Sequence, residues 1–299
     1  MTPKAPPPTR AGILDLAACI RYPEVLLLQG SLLLGAALVP HGRLDAGAVG
    51  RGALALLASL LLVAHVFALN DWANLAADAS DPTRSAGVFT ARGVSRRAFG
   101  VLCVGLLVAS LLLFALLPGT TLLLAIGVAA LGAVYSHPAI DAKGRPGLSS
   151  LTHLAGGGLH FLVGYSVFAP IDARAAMLSL FFALTFTAGH LNQEVRDHAG
   201  DLANGIRTNA VALGKRAAFF AGLLVFTLAY ADLALLAVWG AVPLLLAPLP
   251  ALLYPLHVLW SVAALRDGLT TEGVRRLQAR YRLLYALLGA AMLAAIGRG

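Results

Sequence analysis

Charge is what this sequence has least of. Only 12% of its 299 residues are Asp, Glu, Lys or Arg, against about a quarter in an ordinary soluble domain. With 59% apolar residues and a mean hydropathy of +0.81, a water-soluble globular fold is excluded and an integral membrane protein is indicated. Cysteine is almost missing. Cys19 and Cys103 lie in or beside apolar sequence, so neither a disulfide framework nor a thiolate metal site is expected, and both read as packing residues. The alternation of apolar and polar residues that marks barrel strands is absent as well. The apolar runs are continuous, which selects helices over a barrel. The first ten residues, MTPKAPPPTR, lack the apolar centre and cleavage site of a secretory signal, so 1–10 reads as a disordered Pro-rich tail and 11–299 as a single transmembrane domain.

What remains is apolar sequence broken by short polar or Gly/Pro stretches. A spanning helix takes about 20 apolar residues to cross about 30 Å of hydrocarbon. Nine candidate spans follow, centred near residues 30, 61, 107, 127, 160, 182, 227, 253 and 290. The expected fold is all-α, a bundle of about nine transmembrane helices. The net charge of +8 is spread over loops and forms no aromatic-interleaved patch, so nucleic acid is not an expected partner. Its distribution reports topology instead. With the N-terminus inside, all Lys and Arg except Arg43, Arg51, Arg174 and Arg298 fall on one side, 18 of 22. Cytoplasmic loops are enriched in Lys and Arg, which puts the N-terminus in the cytoplasm and the C-terminus outside; the expected location is a bacterial inner membrane.

Two polar segments interrupt the apolar pattern, Asn70 to Asp78 and Glu194 to Asp201. Each follows a long apolar run and ends on the cytoplasmic side. At helical spacing Asn70, Asp71, Asn74 and Asp78 share an arc of about 100°, and Glu194, Asp197 and Asp201 a narrower one. Together with Asp81 these segments hold six of the 14 acidic residues: Asp71, Asp78, Asp81, Glu194, Asp197 and Asp201. Solvated helix ends would explain one such cluster, but two matching ones point to a shared site. Carboxylates crowded at a membrane rim repel one another and call for cations. Oxygen-only donors favour a hard metal such as Mg²⁺, which takes one or two carboxylates and leaves positions for water and phosphate oxygens. Two such half-sites suit a diphosphate, and an apolar bundle beneath them suits an isoprenoid tail.

The residues also resemble a known group. Asn70-Asp71, Asn74 and Asp78 resemble the NDxxDxxxD motif of the UbiA-type superfamily of intramembrane prenyltransferases, and Asp197 with Asp201 its DxxxD motif. Gly205 to Thr208 and Val211 to Gly214 are similar to the GxxT and VxLG continuation, and Tyr135-Ser136-His137-Pro138 followed by Lys143 to the YSxP segment. Arg21 and Pro23 resemble a further recurring feature near the first span. The resemblance covers nearly the whole chain and implies a nine-helix bundle with a cytoplasmic-side site. It departs from the pattern at Asn74, where the family has an acid, and in the loop Asp81 to Ser95, which lacks the usual Arg-Pro pair and offers Arg84 and Arg92 instead.

The resemblance implies Mg²⁺-dependent transfer of an isoprenyl group from a prenyl diphosphate to a lipid-soluble, quinone-type aromatic acceptor. Asp71, Asp78, Asp197 and Asp201 are the implied metal ligands, with Lys143 neutralising the leaving diphosphate. Asn70, Asn74, Tyr135, Arg145, Glu194 and Arg207 are the candidate substrate-binding residues; Arg145 reads equally as a topology determinant, and Arg196 and Arg207 as partners of the neighbouring carboxylates. An intramembrane terpene cyclase would need the same metal site. An ion-coupled transporter is the alternative from another class, although its acids belong at the midplane of broken helices. Gly156-Gly157-Gly158 reads as a helix-packing site in preference to a groove for the prenyl chain. His65, His153, His160 and His190 fall within spans, where ionisable residues face an interior, and the acceptor's proton gives one of them a possible task. Trp72 reads either as a site-lining residue or as part of the interfacial aromatic belt. Thr271 to Arg282, with four Arg, reads as an amphipathic cytoplasmic stretch against anionic headgroups ahead of the ninth span.

Overall fold

The computed structural model describes residues 12–39, 45–80 and 85–296; the 1–10 tail, Asp81 and Arg84 lie outside them. All regular structure among the described residues is helical. In chain order the α-helices are α1 (Ile13–Ala17), α2 (Tyr22–Ala37), α3 (Ala46–Ala73), α4 (Leu75–Ser80), α5 (Arg96–Phe114), α6 (Gly119–Ser136), α7 (Leu148–Ser166), α8 (Ala173–Ala203), α9 (Asn209–Leu213), α10 (Lys215–Val238), α11 (Pro248–Arg266) and α12 (Thr271–Ile296). Each of the nine apolar runs falls on one long helix, α2, α3, α5 to α8 and α10 to α12. Among the described residues, six stretches are long and apolar enough to cross a membrane: α3, α5, α6, α8, α10 and the segment 244–266 that holds α11. Side-chain caps begin several of them. Asp45 accepts from the Ala48 amide at 2.6 Å, Ser95 from Ala98 at 3.1 Å and Asp172 from Ala175 at 2.7 Å, each satisfying an amide that has no partner within its helix.

One boundary differs from the sequence expectation. The basic stretch Thr271 to Arg282 is not a separate segment ahead of the last span; it is the first half of α12. The reason is a continuous buried stripe, Val274, Leu277, Tyr281, Leu284, Leu288 and Met292, which keeps helical spacing through both halves while the arginines occupy the other face.

Without a hydrophobic drive between helices in lipid, close packing and interhelical hydrogen bonds must hold the bundle. Gly157 lets α7 lie directly on α8, since a Cβ there would come within 2.7 Å of Phe186 Cβ and 2.9 Å of the Phe182 carbonyl. The packing reading of the glycine run therefore holds. Gly35 and Gly164 do the same for α2 and α7, where any Cβ would collide with the opposite backbone carbonyl.

A buried polar knot ties α2, α3 and α7 together. Ser59 donates to Gln29 Oε1 at 2.7 Å, so His160 Nε2 must donate to Ser59 at 2.8 Å, and His160 Nδ1 accepts from Ser31 at 2.8 Å. Every group in it is paired, and His160 serves structure. Arg174 fastens the end of the bundle away from the polar segments, donating to the Leu38 carbonyl at 2.7 Å and the Ala241 carbonyl at 2.9 Å. Large apolar side chains such as Val101, Val104, Leu112, Leu123, Leu224 and Leu259 point outward. Both cysteines are free thiols, and burial pushes the Cys19 thiol above its ordinary value.

Candidate active site

The first polar segment sits on a broken helix. Asn74 separates α3 from α4, with φ −94° and ψ 11°. The break has a local cause: the Asn74 side-chain amide donates to the Asn70 carbonyl at 2.8 Å and to Asn70 Oδ1 at 3.0 Å, competing with the helix for that carbonyl. The ladder still continues across it, since the Asn74 amide reaches the Asn70 carbonyl and the Asp78 amide the Asn74 carbonyl, both at 3.0 Å. The motif thus keeps its helical phase while its axis bends. Asp71 takes a bidentate pair from Arg21, one bond being Nε to Oδ2 at 3.0 Å. Lys143, in the 3₁₀ turn before α7, reaches Asn74 Oδ1 at 3.5 Å. Asp78 is buried, 8% exposed.

The second segment belongs to one unbroken helix of 31 residues. Asp197 is gripped by the adjacent Arg196 through Nε at 2.7 Å and Nη2 at 2.9 Å, while Arg196 Nη1 reaches Gln278 on α12 at 2.9 Å. Asp201 is buried, 5% exposed. What ends α8 explains the sequence that follows. Gly205 adopts φ 66°, the Ile206 amide bonds the Asp201 carbonyl at 2.8 Å and the Gly205 amide the Leu202 carbonyl at 3.2 Å, a Schellman closure that needs glycine. Thr208 then caps α9 through the Val211 amide at 3.4 Å. The GxxT pattern is thereby a stop and a restart.

The two segments meet. Ser80, two residues after Asp78, donates to Asn204 Oδ1 at 2.7 Å, three residues after Asp201. The Asn204 amide is held in turn by the Gly200 carbonyl at 2.9 Å. Four long helices apart in the chain, both buried aspartates lie within one turn of this junction.

The UbiA prenyltransferase family pattern matches residues 30–283. The chain belongs to this family. Solved structures of the same fold include a UbiA homolog from Archaeoglobus fulgidus bound to GPP and Mg²⁺, 18% identical over 95% of this chain and 99% of that one, with a TM-score of 0.74. A UbiA homolog from Aeropyrum pernix K1, in an apo structure, is 20% identical over 92% of this chain and 98% of that one, with a TM-score of 0.70. A digeranylgeranylglyceryl phosphate synthase is 15% identical over 95% of this chain and 98% of that one, with a TM-score of 0.71. No curated protein matches the chain.

The donors at this UbiA-family site fit a hard cation. Asp78 and Asp201 are buried carboxylates at the ends of two helices, and their motif neighbours Asn70, Asn74, Ser80 and Asn204 add only oxygen. Among the described residues no three of His, Cys, Asp and Glu gather into a cage. Two carboxylates with room for water and phosphate oxygens is the way Mg²⁺ is commonly held.

The other UbiA-type positions are spread around the junction. Arg145 and Arg207 are exposed. Tyr135 on α6 stands edge-on to the His153 ring, centroids 5.0 Å apart. Glu194 turns away toward α7 and α9: Asn209 Nδ2 donates to its oxygens at 2.9 and 3.1 Å, Ser149 donates at 3.1 Å, and His190 Nε2 lies 3.0 Å away. Arg196 pairs with its neighbour as expected, whereas Arg92 spends its guanidinium on the Ala18 carbonyl. Trp72 packs on the first turn of α5, where Nε1 donates to the Arg96 carbonyl at 3.2 Å and the Arg96 guanidinium covers its ring.

Sequence reading missed Ser80, Asn204, Ser149 and Asn209. The first two are small polar residues trailing an acidic motif and read as helix-end solvation. Asn209 follows the capping Thr208, so its place in a buried cluster carries no signal of its own.

Proposed function

We propose that this chain transfers an isoprenyl group from a prenyl diphosphate to a lipid-soluble, quinone-type aromatic acceptor within the membrane, with Mg²⁺ as cofactor. The observation that carries the reading is the Ser80 to Asn204 bond, which joins the ends of two helices that each bury an aspartate. The Archaeoglobus fulgidus homolog bound to GPP and Mg²⁺ supports the prenyl diphosphate and the metal in this reading. In this reading all nine long helices cross a bacterial cytoplasmic membrane with the N-terminus inside, in line with the asymmetry of Lys and Arg.

Asp71, Asp78, Asp197 and Asp201 hold Mg²⁺, with Asn70 and Asn74 as amide supports. When bound, the metal supplies positive charge to the diphosphate oxygens. Lys143, Arg145 and Arg207 add charge from the cytoplasmic loops, stabilising the dianionic character that develops as the carbon–oxygen bond breaks. Lys143 reaches the first motif through Asn74 Oδ1 at 3.5 Å. The apolar bundle receives the isoprenoid tail and keeps water from the allylic carbon, which would otherwise be hydrolysed. The ring of the acceptor, with Tyr135 nearby, supplies the attacking electron pair.

The test is direct. Purified protein in detergent, given Mg²⁺ and radiolabelled geranyl diphosphate, is expected to release diphosphate and label an added 1,4-naphthalenediol, and chelation is expected to abolish both. A cyclised hydrocarbon formed without acceptor would assign the chain to the terpene cyclases of the same superfamily. Absence of Mg²⁺-dependent turnover with every chain length and acceptor tried would return it to ion-coupled transport.

A further inference from the structure

Beneath the acidic junction lies a second polar cluster that neither motif accounts for. The rings of His153 on α7 and His190 on α8 stack at 3.6 Å, 9° from parallel. His190 faces Glu194 at 3.0 Å, and the carboxylate is anchored by Asn209 and Ser149. His190 and Glu194 are buried at 4% and 5% exposure, while His153 and Tyr135 are only half-buried. His153 is therefore the accessible end of a chain whose other end is a closed-in carboxylate. At about 1.5 Å per residue, His190 sits about 10 Å deeper along α8 than Asp197, on the tail side of a diphosphate held at the junction.

The tautomer of His153 follows from its partner. Nδ1 lies 2.8 Å from the Ser149 carbonyl, which can only accept, so Nδ1 carries the proton and Nε2 presents a lone pair. An ionised Glu194 likewise requires a proton on His190 Nε2. The cluster then holds one buried negative charge, and taking up one proton neutralises it. Two protons on rings stacked this closely would repel.

We propose that His153 is the general base of the transfer, with His190 and Glu194 as positioning residues that balance the charge it acquires. This rests on the aromatic-acceptor reading. As the C1–oxygen bond of the prenyl diphosphate breaks, its electron pair leaves with the diphosphate. The acceptor ring carbon bonds to C1, and the hydrogen on that carbon passes as a proton to His153 Nε2. The carbon–hydrogen electron pair returns to the ring and restores aromaticity. Glu194, through His190, offsets the resulting imidazolium.

The experiment uses the full chain in detergent with Mg²⁺, geranyl diphosphate and 1,4-naphthalenediol carrying either hydrogen or deuterium on the ring. In the wild type, proton loss follows bond formation quickly and ring deuteration leaves kcat unchanged. In His153→Gln, kcat is expected to fall about 100-fold, the scale of a lost general base. Proton loss then limits the rate and a primary deuterium isotope effect emerges, while KM for geranyl diphosphate and its Mg²⁺-dependent binding stay at wild-type values. Glu194→Gln is expected to show the same isotope effect with a smaller loss. Wild-type kcat in His153→Gln, or a rate loss without an isotope effect, would overturn the proposal and leave the transfer reading standing. A wild type that binds geranyl diphosphate and prenylates no aromatic ring would remove the transfer reading and this inference with it.

Discussion

The two polar segments solve the same electrostatic problem by different means. The first is assembled from afar: its helix is broken at Asn74, two of its four motif positions are neutral amides, and its cations come from Arg21 and Lys143, 50 and 69 residues away. The second is nearly self-contained, with an unbroken helix, Arg196 beside Asp197, and a Schellman closure that fixes Asp201 at its end. One cluster depends on tertiary structure for its charge balance and the other on local sequence. Local pairing survives small movements of the bundle, whereas pairing between elements reports them. The first segment is thus the adjustable half of the site and the second its fixed reference.

The sharpest way to break that comparison is to ask whether the halves are equivalent in turnover. Asp78 and Asp201 are the buried carboxylates on either side of the junction. Asp78→Asn and Asp201→Asn are each expected to lower kcat about 1000-fold, the loss seen when a group aimed at developing charge is removed, in protein that remains monodisperse. A variant of either residue within tenfold of wild type would show that only one half holds the metal.

A smaller effect separates the halves in stability. Asp71→Asn weakens a tie between the entry to α2 and the end of α3, whereas Asp197→Asn weakens a pair between adjacent residues on one helix. Both pairs are partly exposed, Arg21 by 40%, which limits what either contributes. Thermal unfolding without substrate is expected to show a loss of about 1 kcal/mol for Asp71→Asn and a lesser one for Asp197→Asn. Equal losses would mean that the first segment is no more dependent on its distant partner than the second.

How much of this was readable from sequence follows the same division. Continuous apolar runs located the nine long helices among the described residues, six of them in stretches long and apolar enough to cross a membrane, because in lipid the run itself is the requirement for a helix. The acidic motifs, their phase and the Arg196 pairing are local and were legible. The running-on of α12 through its basic stretch was not, since charge on one face hid an unbroken stripe on the other. Nor were Ser80 to Asn204, Ser149 to Glu194 or the stacking of His153 on His190, which join elements 37 to 124 residues apart and leave no local spacing to read. His153 and His190 stood out as ionisable residues expected within spans, and only the fold shows that these two are neighbours.

Asn74→Asp tests the least charged position of the adjustable half, and its expected effect is the smallest. The substitution restores the acid of the family motif beside Lys143, but removes the amide that donates to the Asn70 carbonyl and bends the helix there. These two consequences act on different measurements. Added negative charge at a metal-binding position lowers the Mg²⁺ concentration needed for half-maximal turnover, and a severalfold fall is expected. Loss of the side-chain bond to Asn70 relieves the competition for that carbonyl, which acts on the geometry between α3 and α4 and on kcat, not on the metal titration. Asn74→Ala separates them further, because it loses the same bond without adding charge. If the Mg²⁺ titration is unchanged in Asn74→Asp and kcat falls equally in both variants, Asn74 sets the bend and lies outside the metal's ligands, and the first segment is adjustable because of its hinge and not because of its missing charge.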